Sequence, residues 1–320
     1  MLRVLIFLNL SVQQNHKIKS RFYFHQKSLL FSIGVLVAVI LSYTVMVKAS
    51  DCASPMRLYV SVSDRSDNFI QDLQATDFKV VEKKRPQKLS HVDFISNEPI
   101  SLGVLLDISR DMQGEKIRLA LSLLKDLVAN LESPDEIFIS SFNDETEELL
   151  DFIAPEDYLD DPIENLSTGG RPQMGQALDL ALIKLREARN ETRAILFISG
   201  GRDIAGPSTL DHIAQHGHPI YALGFKGAGN FGSKLKVLNI RGSALKVYAD
   251  RSGGRSIFFE SAEEASVALN QLTFELKNKF LLEYCSSHPK QSRNSRKIRI
   301  EVSNNKYQLR YLKKYITTRR

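Results

Sequence analysis

Cysteine is nearly missing from this 320-residue chain, with only Cys52 and Cys285 present. Two cysteines exclude the repeated spacing of a thiolate zinc site and leave room for one disulfide at most. Catalytic signatures are missing too. There is no His-Glu-x-x-His helix and no Gly-x-Ser-x-Gly elbow, and nothing identifies a nucleophile with a base beside it. The chain is therefore not expected to be an enzyme. Acidic residues are missing from both ends. Residues 1–27 carry five Lys/Arg and no acid, and residues 288–320 carry eleven against the single Glu301. Of a net charge of +6 the ends hold +15, so the body from 28 to 287 stands at −9, an acidic globule with basic ends.

Charge is also missing over the 19 residues from Leu29 to Val47, "LLFSIGVLVAVILSYTVMV", a run long enough to cross a bilayer. Lys17, Lys19, Arg21 and Lys27 precede it, which predicts a cytoplasmic N-terminus and a body outside the cytoplasmic membrane, in the cell envelope. Val47-Lys48-Ala49 has small residues where a signal peptidase reads, so residues 28–49 are either a cleaved signal peptide or an uncleaved anchor. Asp51-Cys52 does not resemble a lipoprotein cleavage box. In an exported chain a Cys52–Cys285 disulfide would tie the start of the mature protein to its last strands; the alternative is two unpaired thiols.

What is present divides into two textures. From Arg57 to Ile95, "RLYVSVSD", "DFKVVEK" and "QKLSHVDFI" alternate apolar and polar residues at period two, as do "FLLEYC", "RKIRIEV" and "YQLRYL" near the end. Neither set of strands buries enough alone, so the two ends are expected to combine into one small antiparallel β domain. Between them, buried strands such as "SLGVLLD" and "RAILFIS" alternate with helical patterns such as Glu115 to Leu131 and Met174 to Ala188. That order predicts an α/β, doubly wound, mainly parallel Rossmann-like sheet, with its site at the carboxyl ends of the strands. The expected divisions are 1–27, a basic N-region; 28–49; 50–98, an N-terminal β segment; 99–275, the α/β domain; and 276–320, a C-terminal β segment with a basic tail.

"LLDISRD" ends one of those strands with Asp107, Ser109 and Asp111 on alternate residues, a presentation of hard oxygen ligands. Together with "VSVSDRSDNFIQDLQATDFKVVEKKRPQKLSHVDF", "EPISLGVLLDIS", "SPDEIFISSFND", "ALKVYADRSGGRSIFF" and the terminal strands, it resembles the von Willebrand factor type A fold, in particular a bacterial group related to it, over nearly everything from Arg57 onward. The resemblance implies a protein-binding adhesion or scaffold module. It also implies a metal-ion-dependent adhesion site, where magnesium or manganese is held by an Asp-x-Ser-x-Ser loop, a Thr and a second Asp, with an open position for a partner's carboxylate.

Asp107 and Ser109 match that pattern. Asp111 stands where the second Ser belongs, Arg171 in "STGGRPQMGQAL" where the Thr belongs, and Gly200 in "LFISGGRD" where the second Asp belongs. The expectation is that Arg171 pairs with Asp107 or Asp111, supplying the positive charge a cation would bring, and that the site works without metal. Asp111 adds negative charge and keeps open an altered but working cation site; helix capping alone is the plain alternative. Asp107, Ser109, Asp111, Arg171, Gly200 and Gly201 are the residues expected to meet a protein partner. Asp203 is a displaced ligand or a solvated loop residue.

Three other signals are weaker. Gly227, Gly229 and Gly232 have dinucleotide-fingerprint spacing but follow a late strand and do not open directly into a helix. His212 and His216 share a helix face that could hold a metal, though His212, His216 and His218 are more simply read as solvated. The basic tail could meet nucleic acid, anionic lipid or an acidic partner; export makes nucleic acid unexpected, and alternation predicts its charges on the solvent face of strands. A hydrolase or nucleotide enzyme at the same sheet edge remains the last alternative.

Overall fold

The computed structural model describes residues 55–158, 161–164, 166–200, 203, 206–226, 244–287 and 295–316. The predicted span, Cys52, Gly201 and the Gly227–Gly232 loop lie outside them, and no described helix is long and apolar enough to cross a membrane. In chain order the strands are β1 (Met56–Ser63), β2 (Phe78–Glu82), β3 (Arg85–Gln87), β4 (Leu89–Ile95), β5 (Ile100–Asp107), β6 (Glu136–Phe142), β7 (Thr146–Ile153), β8 (Thr192–Ser199), β9 (Ile220–Phe225), β10 (Ser256–Phe259), β11 (Lys279–Tyr284), β12 (Ser295–Val302), β13 (Gln308–Tyr311) and β14 (Lys314–Ile316). The helices used below are α1 (Glu115–Ala129), α2 (Met174–Lys184), α3 (Pro207–His216), α4 (Ala244–Ser252) and α5 (Ala262–Lys277).

Strands without charge go to the centre. Every residue of β5 is buried, and β5 pairs in parallel with β6 on one side and β8 on the other. The sheet order is β10-β9-β8-β5-β6-β7, parallel except for the antiparallel edge β7. Period two then sorts the core. Leu102, Val104 and Leu106 pack with α1 and α5, whereas Leu105 packs with α2, α3 and α4 on the other face. Each such side chain, fully buried, contributes roughly 1.5–3 kcal/mol. Gly103 has no room for a Cβ, because the Phe138 ring fills that space.

The two chain ends form the expected antiparallel β domain, as two four-stranded sheets, β13-β1-β11-β4 and β14-β12-β2-β3. Leu58, Val60, Phe78, Val80, Phe280, Leu282, Ile298 and Ile300 share its core. The alternation of "RKIRIEV" is correct, but its phase puts Arg296 inside. Arg296 is buried on Glu82, with Nη1 donating to Oε1 at 2.7 Å and Tyr315 donating to the same oxygen at 3.0 Å. Arg310 also turns inward, donating to the buried Glu275 of α5 at 2.8 Å, and Arg255 donates to Asp67 at 2.8 Å. Arg296 and Arg310 let Glu82 and Glu275 stay buried, and the Arg310–Glu275 and Arg255–Asp67 pairs join the β domain to the α/β domain.

The β2–β3 hairpin turns through two residues, Lys83 and Lys84, with φ of 46° and 68°. Such a loop favours Asn-Gly, because both positions lie in the left-handed region that side chains avoid. Lys83→Asn with Lys84→Gly is therefore expected to raise the unfolding free energy by about 1 kcal/mol, read as a higher urea midpoint; a lower midpoint would contradict the strained turn.

Candidate functional site

β5 is where the chain order reverses. The chain leaves it toward β6 on one side and later returns to fill β8, β9 and β10 on the other, which makes the carboxyl ends of β5 and β8 the switch point where open sheets of this kind place a site. Asp107 ends β5, and Ser199 and Gly200 end β8 beside it. Asp107 is only 1% exposed. Its Oδ1 accepts the Ser109 backbone N–H at 2.8 Å; its Oδ2 accepts the Ser199 hydroxyl at 2.6 Å and the Gly200 N–H at 3.2 Å. Burial pushes the Asp107 carboxyl above its ordinary range, and those donors pull the other way.

The neighbouring loops are stitched to this strand end. Ile108 N–H donates to Phe142 O at 2.9 Å, Gly169 N–H to Ile108 O at 2.9 Å and Arg110 N–H to Gly170 O at 3.2 Å. Arg171 N–H reaches the Asp144 carboxylate at 3.2 Å, and Gln173 N–H reaches Asn143 O at 2.9 Å. Gly170 has φ +70°, and a side chain there would strike the Asp144 carboxylate. The first two motif loops and the β6–β7 turn thus form one hydrogen-bonded unit.

Five of the six predicted contact residues are described, and all five lie on these joined loops. The expected Arg171 ion pair is not formed. Arg171 is exposed, and among the described residues it makes no ion pair with Asp107 or Asp111. The reason is that Asp107 is already saturated by Ser199, Gly200 and Ser109 and needs no guanidinium. Asp203 is neither a displaced ligand nor merely solvated. Its carboxylate accepts Met174 N–H at 2.8 Å at the start of α2, and its carbonyl accepts Ala244 N–H at 3.2 Å at the start of α4. A Cβ on Gly200 would meet Asp111, Met112 and Asp107 only at 3.6–3.9 Å, so space does not demand glycine here.

For magnesium or manganese the donor set falls short. Arg171 brings a cation, Gly200 brings no side chain, and both Asp107 oxygens already accept hydrogen bonds, so three of the five motif positions offer no open ligand. An octahedral, oxygen-seeking ion is poorly served by these residues. Among the described residues no group of three or more His, Cys, Asp or Glu could hold a metal. Sequence reasoning missed Ser199 and Arg110. A hydroxyl closing a buried strand before Gly-Gly, in register with Asp107, was the available signal for the first; a cation inside the Asp-x-Ser loop was the signal for the second.

The family model for the von Willebrand factor type A domain matches residues 102–267. The chain belongs to that family. Its β5-to-α5 region is the matched part, and no curated protein matches the chain. Among solved structures it is similar to BatB from Bacteroides thetaiotaomicron, at 17% identity over 56% of this chain and 99% of that one, with a TM-score of 0.40. It is also similar to an aerotolerance-related membrane protein from Bacteroides fragilis, at 20% identity over 54% and 98%, TM-score 0.39. A third is the vWF domain of the type V pili tip protein Mfa5 from Porphyromonas gingivalis, at 11% identity over 55% and 94%, TM-score 0.43.

The histidines stand apart from this edge. His212 Nδ1 lies 2.9 Å from Asp179 Oδ1 on α2, which engages the face proposed for metal. His218 is partly buried, and burial lowers its pKa to about 4, with Arg193 and His216 adding to the shift. The unfolded state, titrating near 6.5, then binds a proton that the folded state refuses, so stability is full above pH 6.5 and falls as pH drops toward 4. Exposure of part of the ring moderates the effect to about 2 kcal/mol across that window. His218→Gln is expected to flatten the slope of unfolding free energy against pH, measured by urea titration; an unchanged slope would show that other groups set it.

Proposed function

We propose that this von Willebrand factor A-type protein is an exported or membrane-tethered protein-binding module, an adhesion or scaffold element, that recognises its partner at the carboxyl edge of its sheet without a divalent cation. One observation carries the reading. Asp107 is satisfied from inside the protein, while Arg110 and Arg171 stand exposed on two loops joined through Arg110 N–H and Gly170 O. Neither arginine makes an ion pair among the described residues.

A metal-loaded edge would receive a partner's carboxylate on the cation. Here a planar guanidinium offers the same carboxylate two parallel donors. The partner is therefore expected to present an Asp or Glu, or an acidic segment, to this edge. Placement in the cell envelope rests on the apolar Leu29–Val47 run, and nucleic acid is not the expected partner. Ser109 Oγ favours a second reading, a metal-dependent receptor with an altered site, because this buried hydroxyl stands beside Asp107 in the first motif loop, where the pattern calls for an oxygen ligand. For an enzyme no comparable observation speaks: the Ser199 hydroxyl that meets Asp107 is wholly buried.

The test is photocross-linking in the native envelope from a probe at Gln173, which borders the edge. A partner adduct is expected to form in the presence of EDTA and to fall by about tenfold or more in Arg110→Glu/Arg171→Glu, the loss expected for charge-assisted contacts worth about 1.5–3 kcal/mol each. An adduct that requires magnesium or manganese and ignores the arginines would overturn this reading in favour of the metal-dependent one.

A further inference from the structure

The β domain carries a second feature, far in sequence from the edge. Around the β2–β3 turn, Lys83, Lys84, Arg85 and Lys88 are all exposed, and Lys297 of β12 lies across the sheet, its carbonyl accepting Lys83 N–H at 3.0 Å. None of these five cations forms an ion pair among the described residues. The acids nearby are spent. Glu82 is buried on Arg296, and Glu301 holds Lys79 at 3.3 Å and Arg299 at 3.1 Å. The turn places two of the lysines at its tip in a conformation where Asn-Gly would be at ease. A merely solvated hairpin has no reason to keep lysine at both positions.

Hydrogen bonds show where this cluster sits. The α/β core is reached through β1, whose first residue Met56 pairs with Tyr284 of β11. Just past Tyr284, Ser286 Oγ accepts Arg296 Nη1–H at 2.9 Å, and Ser287 exchanges two bonds with Gln87, at 3.0 and 2.9 Å. Gln87 in turn donates to Arg85 O at 3.0 Å. The hairpin and the start of β1 therefore share one pole. Arg57, also there, is balanced by Glu283 and Glu191. Only eight residues, Lys48 to Pro55, separate the predicted span from Met56, a reach of at most about 30 Å.

We infer that this basic pole is a docking surface for the phosphate headgroups of an anionic bilayer, which Lys83, Lys84, Arg85, Lys88 and Lys297 contact while the carboxyl edge of the sheet remains available to its partner. The inference rests on the membrane-tethered form of the proposed function: with the Leu29–Val47 run retained as an anchor, a linker of eight residues leads into β1, and the cations, which form no ion pair among the described residues, are separate points of charge on a hairpin, not a groove shaped for one molecule. Each cation near such a surface strengthens partitioning by roughly fivefold, and salt weakens it.

The test uses the full chain in nanodiscs, with amide hydrogen exchange read over residues 79–88. In discs containing phosphatidylglycerol, exchange in the hairpin is expected to slow about tenfold relative to phosphatidylcholine discs, and the difference should vanish in 0.5 M salt. Lys83→Asn/Lys84→Gly relaxes the turn while removing two charges, so it should fold at least as well and lose most of the lipid-dependent slowing. Equal exchange in the two lipids would overturn the inference. So would slowing caused by a duplex oligonucleotide or by polyglutamate but not by the anionic discs.

Discussion

A carboxylate with 1% of its surface exposed, Asp107, can persist at the end of β5 only if something meets its charge. In this chain it is a hydroxyl and two backbone N–H groups, supplied by Ser199, Gly200 and Ser109. The neighbouring residues fit that bonding. Arg171 is released to solvent because Asp107 has no need of it. Gly200 donates its N–H where a second Asp would have added a charge, and Asp203 is left to start α2 and α4.

The same economy appears inside the β domain and at its junction with the α/β domain. Glu82 and Glu275 are buried, and each is met by an arginine from the basic end of the chain. The described cations of this basic end thus do two jobs. Arg296 and Arg310 neutralise interior carboxylates, while Lys297 stays outside. Charge counted along the sequence cannot separate these roles, since the decisive variable is strand phase.

How much of this was legible in the sequence depended on periodicity. The continuous apolar run of β5 and the i, i+3, i+4 spacing of α1 and α2 announced a covered parallel sheet, and α5 begins at Ala262 as its pattern predicts. Pairing the first strands with the last was also foreseeable, because neither set could bury a core alone. The motif loops fall at neighbouring strand ends of the parallel sheet. Their internal bonding was only partly legible: the hydroxyl of Ser199 closing a buried strand before Gly-Gly was a signal, but the register that sets it beside Asp107 comes from strand pairing across the sheet. The ion pair expected for Arg171 followed from charge logic and failed for that reason. For the histidines, read as solvated, His212 is exposed with Asp179 of a neighbouring helix beside it, whereas His216 and His218 are partly buried.

The account stands or falls on whether the donors around Asp107 replace a cation. The most direct measurement is calorimetric titration of the full chain with manganese and magnesium, run beside Asp107→Ala. The account predicts no saturable heat with either ion in either protein. One-to-one binding that disappears in Asp107→Ala would contradict it, because Asp107 would then give up Ser199 or Gly200 to hold the metal.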